Sequence, residues 1–295
     1  GLPIDTIADE IDRVALCDFI HRKIFPIACE PLPHAKRGKR AGAVGLPAPV
    51  PQVLERTAVQ IKNDAYLSIR LAIVLPDDQR MVYADAAIDL LLHRLPSLVS
   101  SGCWWSEEEC ASFELHRKTV RRQREMRAQL QKNGLVAFIA NGSILPRKAG
   151  DSSDPLPNAV PFFSPPELER ELTVCGESIR GMGICEGVTL IVGGGFHGKS
   201  TLLHAIEQGV YDHIPGDGRE GVVSLSSSLK ICSEEGRWIN NLDLSWFVKR
   251  LPGDIPTDRF TTRSASGATS QAASVIEALE AGSSLLLFDE DASAV

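Results

Sequence analysis

Eight residues, Gly193-Gly194-Gly195-Phe196-His197-Gly198-Lys199-Ser200, fit the pattern G-x-x-x-x-G-K-[ST], a spacing suited to gripping phosphate. Glycines let consecutive backbone N–H groups turn inward with no Cβ in the way. A helix that begins at once aims its positive end at the same anion. In such a loop Lys199 bridges the outer phosphates of ATP and Ser200 enters the shell of a Mg²⁺ ion, with Phe196, His197 and Thr201 completing the loop and first turn. The bare pattern arises by chance in roughly one chain in a hundred of this length. Its context lowers that: residues 188–192 (VTLIV) read as the strand before the loop and 201–208 as the helix after it. The competing reading is a glycine-rich structural turn with a surface lysine, in which His197 is loop filler.

A cation in that loop needs a carboxylate. The run Leu285–Phe288 is wholly apolar, as a buried strand is, and Asp289 follows at its carboxyl end. Asp289 can hold the Mg²⁺ shell while Glu290 polarises a water for attack on the terminal phosphate. A trio of acids (Asp289, Glu290, Asp291) after a strand also fits a solvated turn.

The elements that must position these residues fall in the second half of the chain. Strands are expected over 172–175, 187–192 and 285–288, with helices over 200–208, stopped by Gly209, and over 270–281, with Ser270 as N-cap and Gly282 beyond its end. Apolar strands alternating with helices point to an α/β domain with a mainly parallel core. Upstream, 66–75 reads as a strand, 84–95 and 106–132 as helices, and Leu135–Ala140 as a short buried strand closed by Asn141-Gly142. Residues 31–51 and 147–166 are rich in Pro, Gly, Ala and Ser and read as linkers. The expected division is 1–165, a mixed α+β N-terminal domain, and 166–295, the nucleotide-binding core.

The stretch 264–271 (SASGATSQ) resembles a variant of the ABC ATPase signature, where Ser-Gly opens a helix facing the γ-phosphate of a partner subunit's ATP; Ser266, Gly267 and Thr269 are the matching positions. Ser266 stands 23 positions before Asp289, the register expected when signature helix and metal-binding strand are consecutive. Small residues at a helix N-cap are the ordinary alternative. With 183–220, 270–281 and LLLFDEDASA, together with LVAFIANGSILPR and AVPFFSPPEL, the chain is similar to the family of ATPases of the ABC class over most of residues 60–295. That resemblance implies an incomplete P-loop NTPase fold of ABC type, ATP and Mg²⁺ as cofactors, and a head-to-tail homodimer around nucleotide. Through one trypanosomal mitochondrial member it also implies RNA binding, a larger RNA-processing complex and a mitochondrial location.

The chain departs from the family pattern in two places. No glutamine lies between Gln208 and Gln271, so Glu234 is the candidate replacement at the metal. No histidine follows His213, so the switch histidine has no counterpart, and the sequence reads as a piece of a longer polypeptide.

The 295 residues are 43% hydrophobic and 23% charged, which excludes disorder, collagen and a disulfide-stapled mini-domain. No apolar run approaches the roughly 20 residues of a membrane span, and acidic Asp5, Asp9, Glu10 and Asp12 stand where a signal peptide would be apolar. Seven cysteines without a C-x-x-C read as reduced intracellular thiols. The net charge of −7 hides an asymmetry: residues 1–150 hold 21 Lys/Arg against 17 Asp/Glu, and 151–295 hold 10 against 21. Arg117, Arg121 and Arg124 share a helix face, and Lys36 and Arg37 lie in a basic cluster, so both are candidate nucleic-acid contacts, the helix face equally a solvated one. Trp104 and Trp105 could stack bases or pack, and Phe162 and Phe163 could offer adenine a flat surface or pack a hinge. The first choice is an ATP-hydrolysing protein; the alternatives are a nucleotide-gated RNA-binding scaffold with little turnover, a transporter ATPase subunit and a small-molecule P-loop kinase.

Overall fold

Asp9 caps the first helix, its side chain accepting from the Asp12 amide at 3.1 Å, and α1 runs Glu10–Cys29. The structure, a computed structural model, describes residues 7–30, 42–62, 66–77, 81–251, 253 and 255–294; Lys36 and Arg37 lie outside them. The chain divides into two units: residues 1–124 with 149–154 and 212–220, and residues 125–148 with 155–211 and 221–295.

In the first unit α1 is the central element, burying Leu16, Ile20 and Ile24 completely. It packs on α3 (Leu95–Cys103), where Gly102 allows the approach: a Cβ there would lie 2.9 Å from Ile24 Cγ2. Five short strands follow α1, namely β1 (Ala43–Gly45), β2 (Gln52–Val53), β3 (Val59–Lys62), β4 (Tyr66–Ile69) and β5 (Ala72–Val74). All their pairings are antiparallel: β1 with β5, β3 with β4, and β2 with β9 (Asp212–His213). The strand expected over 66–75 is therefore two strands. Arg70 breaks it, turning its N–H to Ala58 O at 2.8 Å. The helix expected over 84–95 also changes pitch, from α2 (Ala84–Ile88) to a π-helix (Asp89–Arg94) and then α3. Pro96 lacks an amide to continue the regular ladder, which accounts for the irregular turn before it. The last long helix, α4, spans Glu107–Gln129 and contributes to both units.

The second unit carries a four-stranded antiparallel sheet in the order β10 (Val222–Ser224), β6 (Leu135–Ala140), β8 (Glu177–Cys185), β7 (Glu169–Val174). Every residue of β6 is buried, as its unbroken apolar run requires. Gly181 of β8 permits close approach, since a Cβ would stand 2.2 Å from Ile139 O. Parallel pairing is confined among the described residues to β11 (Ser228–Ile231) with β16 (Leu285–Phe288), in the register Ser228↔Leu285 to Ile231↔Phe288. The α/β class stands, with parallel pairing reduced to that one ladder.

Two helices complete the setting of the site. Helix α5 is Lys199–Gln208 and α6 is Gly267–Glu280. Between β11 and α6 run β12 (Ile239–Leu242), β13 (Arg250–Leu251), β14 (Ile255–Pro256) and β15 (Phe260–Thr262), paired antiparallel β12 with β15 and β13 with β14. Helix α6 begins earlier than expected. Ser266, not Ser270, is its cap, accepting from the Thr269 amide, while Ser270 sits inside with its hydroxyl on Gly267 O at 2.8 Å. Residues 188–192 form no ladder, contrary to expectation, and Val188, Leu190 and Val192 are exposed. A strand needs a partner edge about 4.8 Å away. Here residues 187–191 and 285–290 instead line a shared cavity of about 440 Å³.

Candidate functional site

Gly198 has φ +85°, a left-handed conformation that glycine adopts without strain, and it caps α5. Phe196 also has a positive φ, +61°, and its side chain projects fully into solvent. The loop is held from within: Lys199 Nζ donates to Gly193 O at 2.9 Å and to Gly194 O at 3.1 Å, and the His197 amide donates to Gly194 O at 3.4 Å. Gly195 has open space around its Cα, and a Cβ on Gly194 would press on the His197 ring at 3.1 Å. Thr201 follows in the first turn of α5, where Leu202 N–H reaches back to Gly198 O.

Facing this turn is the acidic end of β16. Ser200 Oγ lies 3.5 Å from Asp289 Oδ1, the outer limit of a hydrogen bond. A serine hydroxyl and a carboxylate oxygen left slightly apart form a donor set that a hard divalent cation takes readily, so the residues present fit Mg²⁺. Glu290 opens a short 3₁₀ turn (Glu290–Ala292) and, with Asp289 and Lys199, lines the 440 Å³ cavity. Ser293 Oγ donates to Asp289 O at 2.8 Å, fixing the backbone behind the carboxylates.

Three residues beside the site, Lys230, Glu207 and His204, were not among the sequence candidates. Lys230 Nζ of β11 lies 3.5 Å from Asp289 Oδ2 and 3.8 Å from Glu207 Oε2, and His204 Nδ1 meets the same Glu207 oxygen at 3.1 Å. The signals were there: Lys230 is a cation between Leu229 and Ile231 on a strand, and Ser200, His204 and Glu207 recur at helical spacing on one face of α5.

Other candidates lie elsewhere. Glu234 donates its amide to Ser270 Oγ at 2.8 Å and lines a separate hollow with Cys232, Arg237, Ser274 and Glu277. The signature residues open α6 at its surface: Ser266 is exposed and its Oγ contacts Thr269 Oγ1 at 2.9 Å, while a Cβ on Gly267 would stand 2.6 Å from Ser233 Oγ. Ser233 N–H donates to Ala292 O at 2.7 Å, so the turn after Asp289 and the start of α6 are braced together. Phe162 is partly buried in the core beside Ile206 and Leu287, whereas Phe163 is exposed.

Arg117, Arg121 and Arg124 do share one face, and that face turns onto acids. Arg121 pairs with Asp12 at 2.6 Å and Asp9 at 2.9 Å, Arg117 with Asp12 at 3.5 Å and Glu114 at 2.8 Å, and Arg124 with Asp212. Burial raises the Asp12 pKa, but the Arg121 hydrogen bond, the Ala8 amide and both guanidinium charges together hold it below the usual range. Lys118 and Arg122 are exposed cations of this stretch, and Arg124 is exposed as well while paired with Asp212. Trp105 packs against Phe19 at 5.0 Å and Phe113 at 5.3 Å, leaving Trp104 exposed. No helix among the described residues is long and apolar enough to cross a membrane.

A glycine-rich loop, a helix beginning at its lysine and an acid opposite its serine define a P-loop nucleotide-binding domain. A family model described as the P-loop domain of the ABC ATPases matches residues 109–295, and one described as the N-terminal domain of ATPases of the ABC class matches residues 1–103. The chain belongs to the ATPases of the ABC class. It is also 35% identical over 189 residues to an uncharacterised protein of Methanocaldococcus jannaschii, a match over 60% of this chain and 42% of that relative. The chain thus spans less than half the length of the curated relative it matches.

Proposed function

We propose that this chain binds ATP with Mg²⁺ in the loop 193–198 and hydrolyses it, working as a dimer in which Ser266, Gly267 and Thr269 face the nucleotide of the second copy. One observation carries the reading: Ser200 and Asp289 approach to 3.5 Å beside a cavity that Lys199 and Glu290 also line. Lys199 exchanges the carbonyls of Gly193 and Gly194 for phosphate oxygens, and the amides of the loop and the start of α5 complete the grip. Ser200 and Asp289 would hold Mg²⁺, whose charge would offset that of the phosphates. Glu290 accepts a proton from water as its oxygen bonds to the terminal phosphorus, the bond to ADP breaks, and the proton passes on to phosphate.

RNA association, and with it a mitochondrial RNA-processing assembly, is a proposal for the N-terminal unit. It is supported by the family resemblance and by exposed Lys118 and Arg122, not by the paired arginines.

The test compares Lys199→Ala and Glu290→Gln for ATP binding, turnover and size in solution. Lys199→Ala abolishes binding. Glu290→Gln keeps binding, slows turnover by about a hundredfold or more, and accumulates the ATP-bound dimer. Unchanged turnover in Glu290→Gln removes that residue as the base, and a parental protein that binds no ATP overturns the reading.

A further inference from the structure

Asp289 has two oxygens with different neighbours. Oδ1 faces the Ser200 hydroxyl, while Oδ2 faces the Lys230 ammonium, each at 3.5 Å. Lys230 reaches this point from β11, where it is registered against Leu287 across the parallel ladder. On its other side stands Glu207, 3.8 Å away, on the helix that carries Ser200. The three side chains are 25%, 15% and 29% exposed, so the group is half-sheltered and its charges are only partly screened. One ammonium thus stands between two carboxylates, one of which is the acid assigned to the cation.

A divalent ion bridging Ser200 and Asp289 would come within a few ångströms of that ammonium, and like charges this close in a sheltered site repel. Lysine has a flexible four-carbon stem and three rotatable donors, so its head can move without moving the strand. Glu207, already in reach and braced by His204, is where it can go. We propose that Lys230 is a positioning residue for the metal site, holding Asp289 in place while no divalent ion is bound and moving to Glu207 when one arrives. The proposal rests on the ATP–Mg²⁺ reading and adds a residue that the P-loop pattern does not contain.

The experiment measures affinity for fluorescently labelled ATP in excess Mg²⁺ and in excess EDTA, for the parental protein, Lys230→Met, Asp289→Asn and the double variant. The ratio of the two dissociation constants reports metal dependence. Without Lys230, the bare Asp289 carboxylate repels metal-free ATP and no ammonium competes with the ion. The ratio therefore rises by about threefold, the size expected of one partly exposed ion pair, and half-saturation comes at lower Mg²⁺. In the Asp289→Asn background the same lysine change leaves the ratio unmoved, and Lys230→Arg keeps the parental ratio. Should Lys230→Met weaken both affinities equally, Lys230 contacts phosphate and the proposal is wrong. It is equally wrong if the ratio rises in the Asp289→Asn background too. A parental ratio of one would instead remove the metal reading itself, a different result from an unaltered ratio in the variant. If Lys230→Met fails to fold by circular dichroism, Lys230→Gln is read the same way.

Discussion

Ser200 and Asp289 are 89 positions apart in the chain and 3.5 Å apart in space. Neither element could place them alone: Ser200 is set by the left-handed turn at Gly198 that starts α5, and Asp289 by the four-residue parallel ladder between β16 and β11. A hydroxyl is a neutral ligand, so under the proposed Mg²⁺ reading Ser200→Ala removes one cation contact and leaves the loop amides intact. ATP binding in EDTA should be unchanged in this variant, while the tightening by Mg²⁺ falls by roughly tenfold, the lower end for loss of a metal-site partner. Equilibrium binding of labelled ATP with and without Mg²⁺ checks both halves of the expectation.

The sheet behind the site depends on a missing side chain. A Cβ at Gly181 would lie 2.2 Å from Ile139 O and 2.7 Å from Ala140 Cα, both backbone atoms of the adjoining strand. Backbone in a buried strand cannot step aside as the end of a lysine can. Gly181→Ala should therefore destabilise the protein by about 2 kcal/mol or more, read as a lower urea midpoint. Gly176→Ala is the contrast: its Cβ would meet nothing within 4 Å, and its cost comes from φ +80° alone.

The phosphate loop, α5, β6 and β16 were legible because each is a contiguous run whose type follows from its own residues. What the sequence concealed depends on neighbours. Helix α1 buries Asp12, Asp18 and His21 among its apolar residues, which erases the amphipathic stripe by which a helix is usually read. Residues 188–192 look like a strand by composition, yet a strand exists only where another edge accepts its hydrogen bonds. Helical spacing showed that Arg117, Arg121 and Arg124 share a face; it could not show that Asp9, Asp12 and Asp212 cover it. Lys230 was hidden for the same reason, since its meaning lies across the sheet in Asp289.

The arginine face makes a prediction that separates structure from nucleic-acid binding. Asp12 is fully buried, and Arg121 is its nearest cation at 2.6 Å. Arg121→Met keeps the length of the side chain and leaves that carboxylate, among the described residues, with Arg117 and the Ala8 amide. With Arg121 itself about one-third exposed, the loss should be roughly 1–2 kcal/mol, between surface and buried pairs. A lower thermal midpoint with unchanged retention on RNA is the expected outcome. Lost RNA retention at parental stability would mean that the pair is not what holds this face.

Burial of His116 predicts a pH dependence of stability. Its ring is 3% exposed, and burial first, then the nearby Arg22 charge, pushes its pKa down to about 4 from an ordinary value of 6.5. The unfolded chain therefore takes up a proton near pH 6.5 that the folded chain refuses until about pH 4. This contribution to stability is present above pH 6.5 and is lost as pH falls toward 4. Asp18, 3.5 Å from the His116 ring, works in the opposite sense, because burial raises its pKa and the folded state binds that proton first. The two are separated by His116→Gln, which cannot titrate. Between pH 7 and pH 5 the parental protein should lose about 2 kcal/mol relative to this variant. Urea unfolding followed by tryptophan fluorescence gives both slopes, Trp105 reporting from the same aromatic cluster through Phe19. Parallel slopes would mean that His116 is protonated as easily in the folded core as in water.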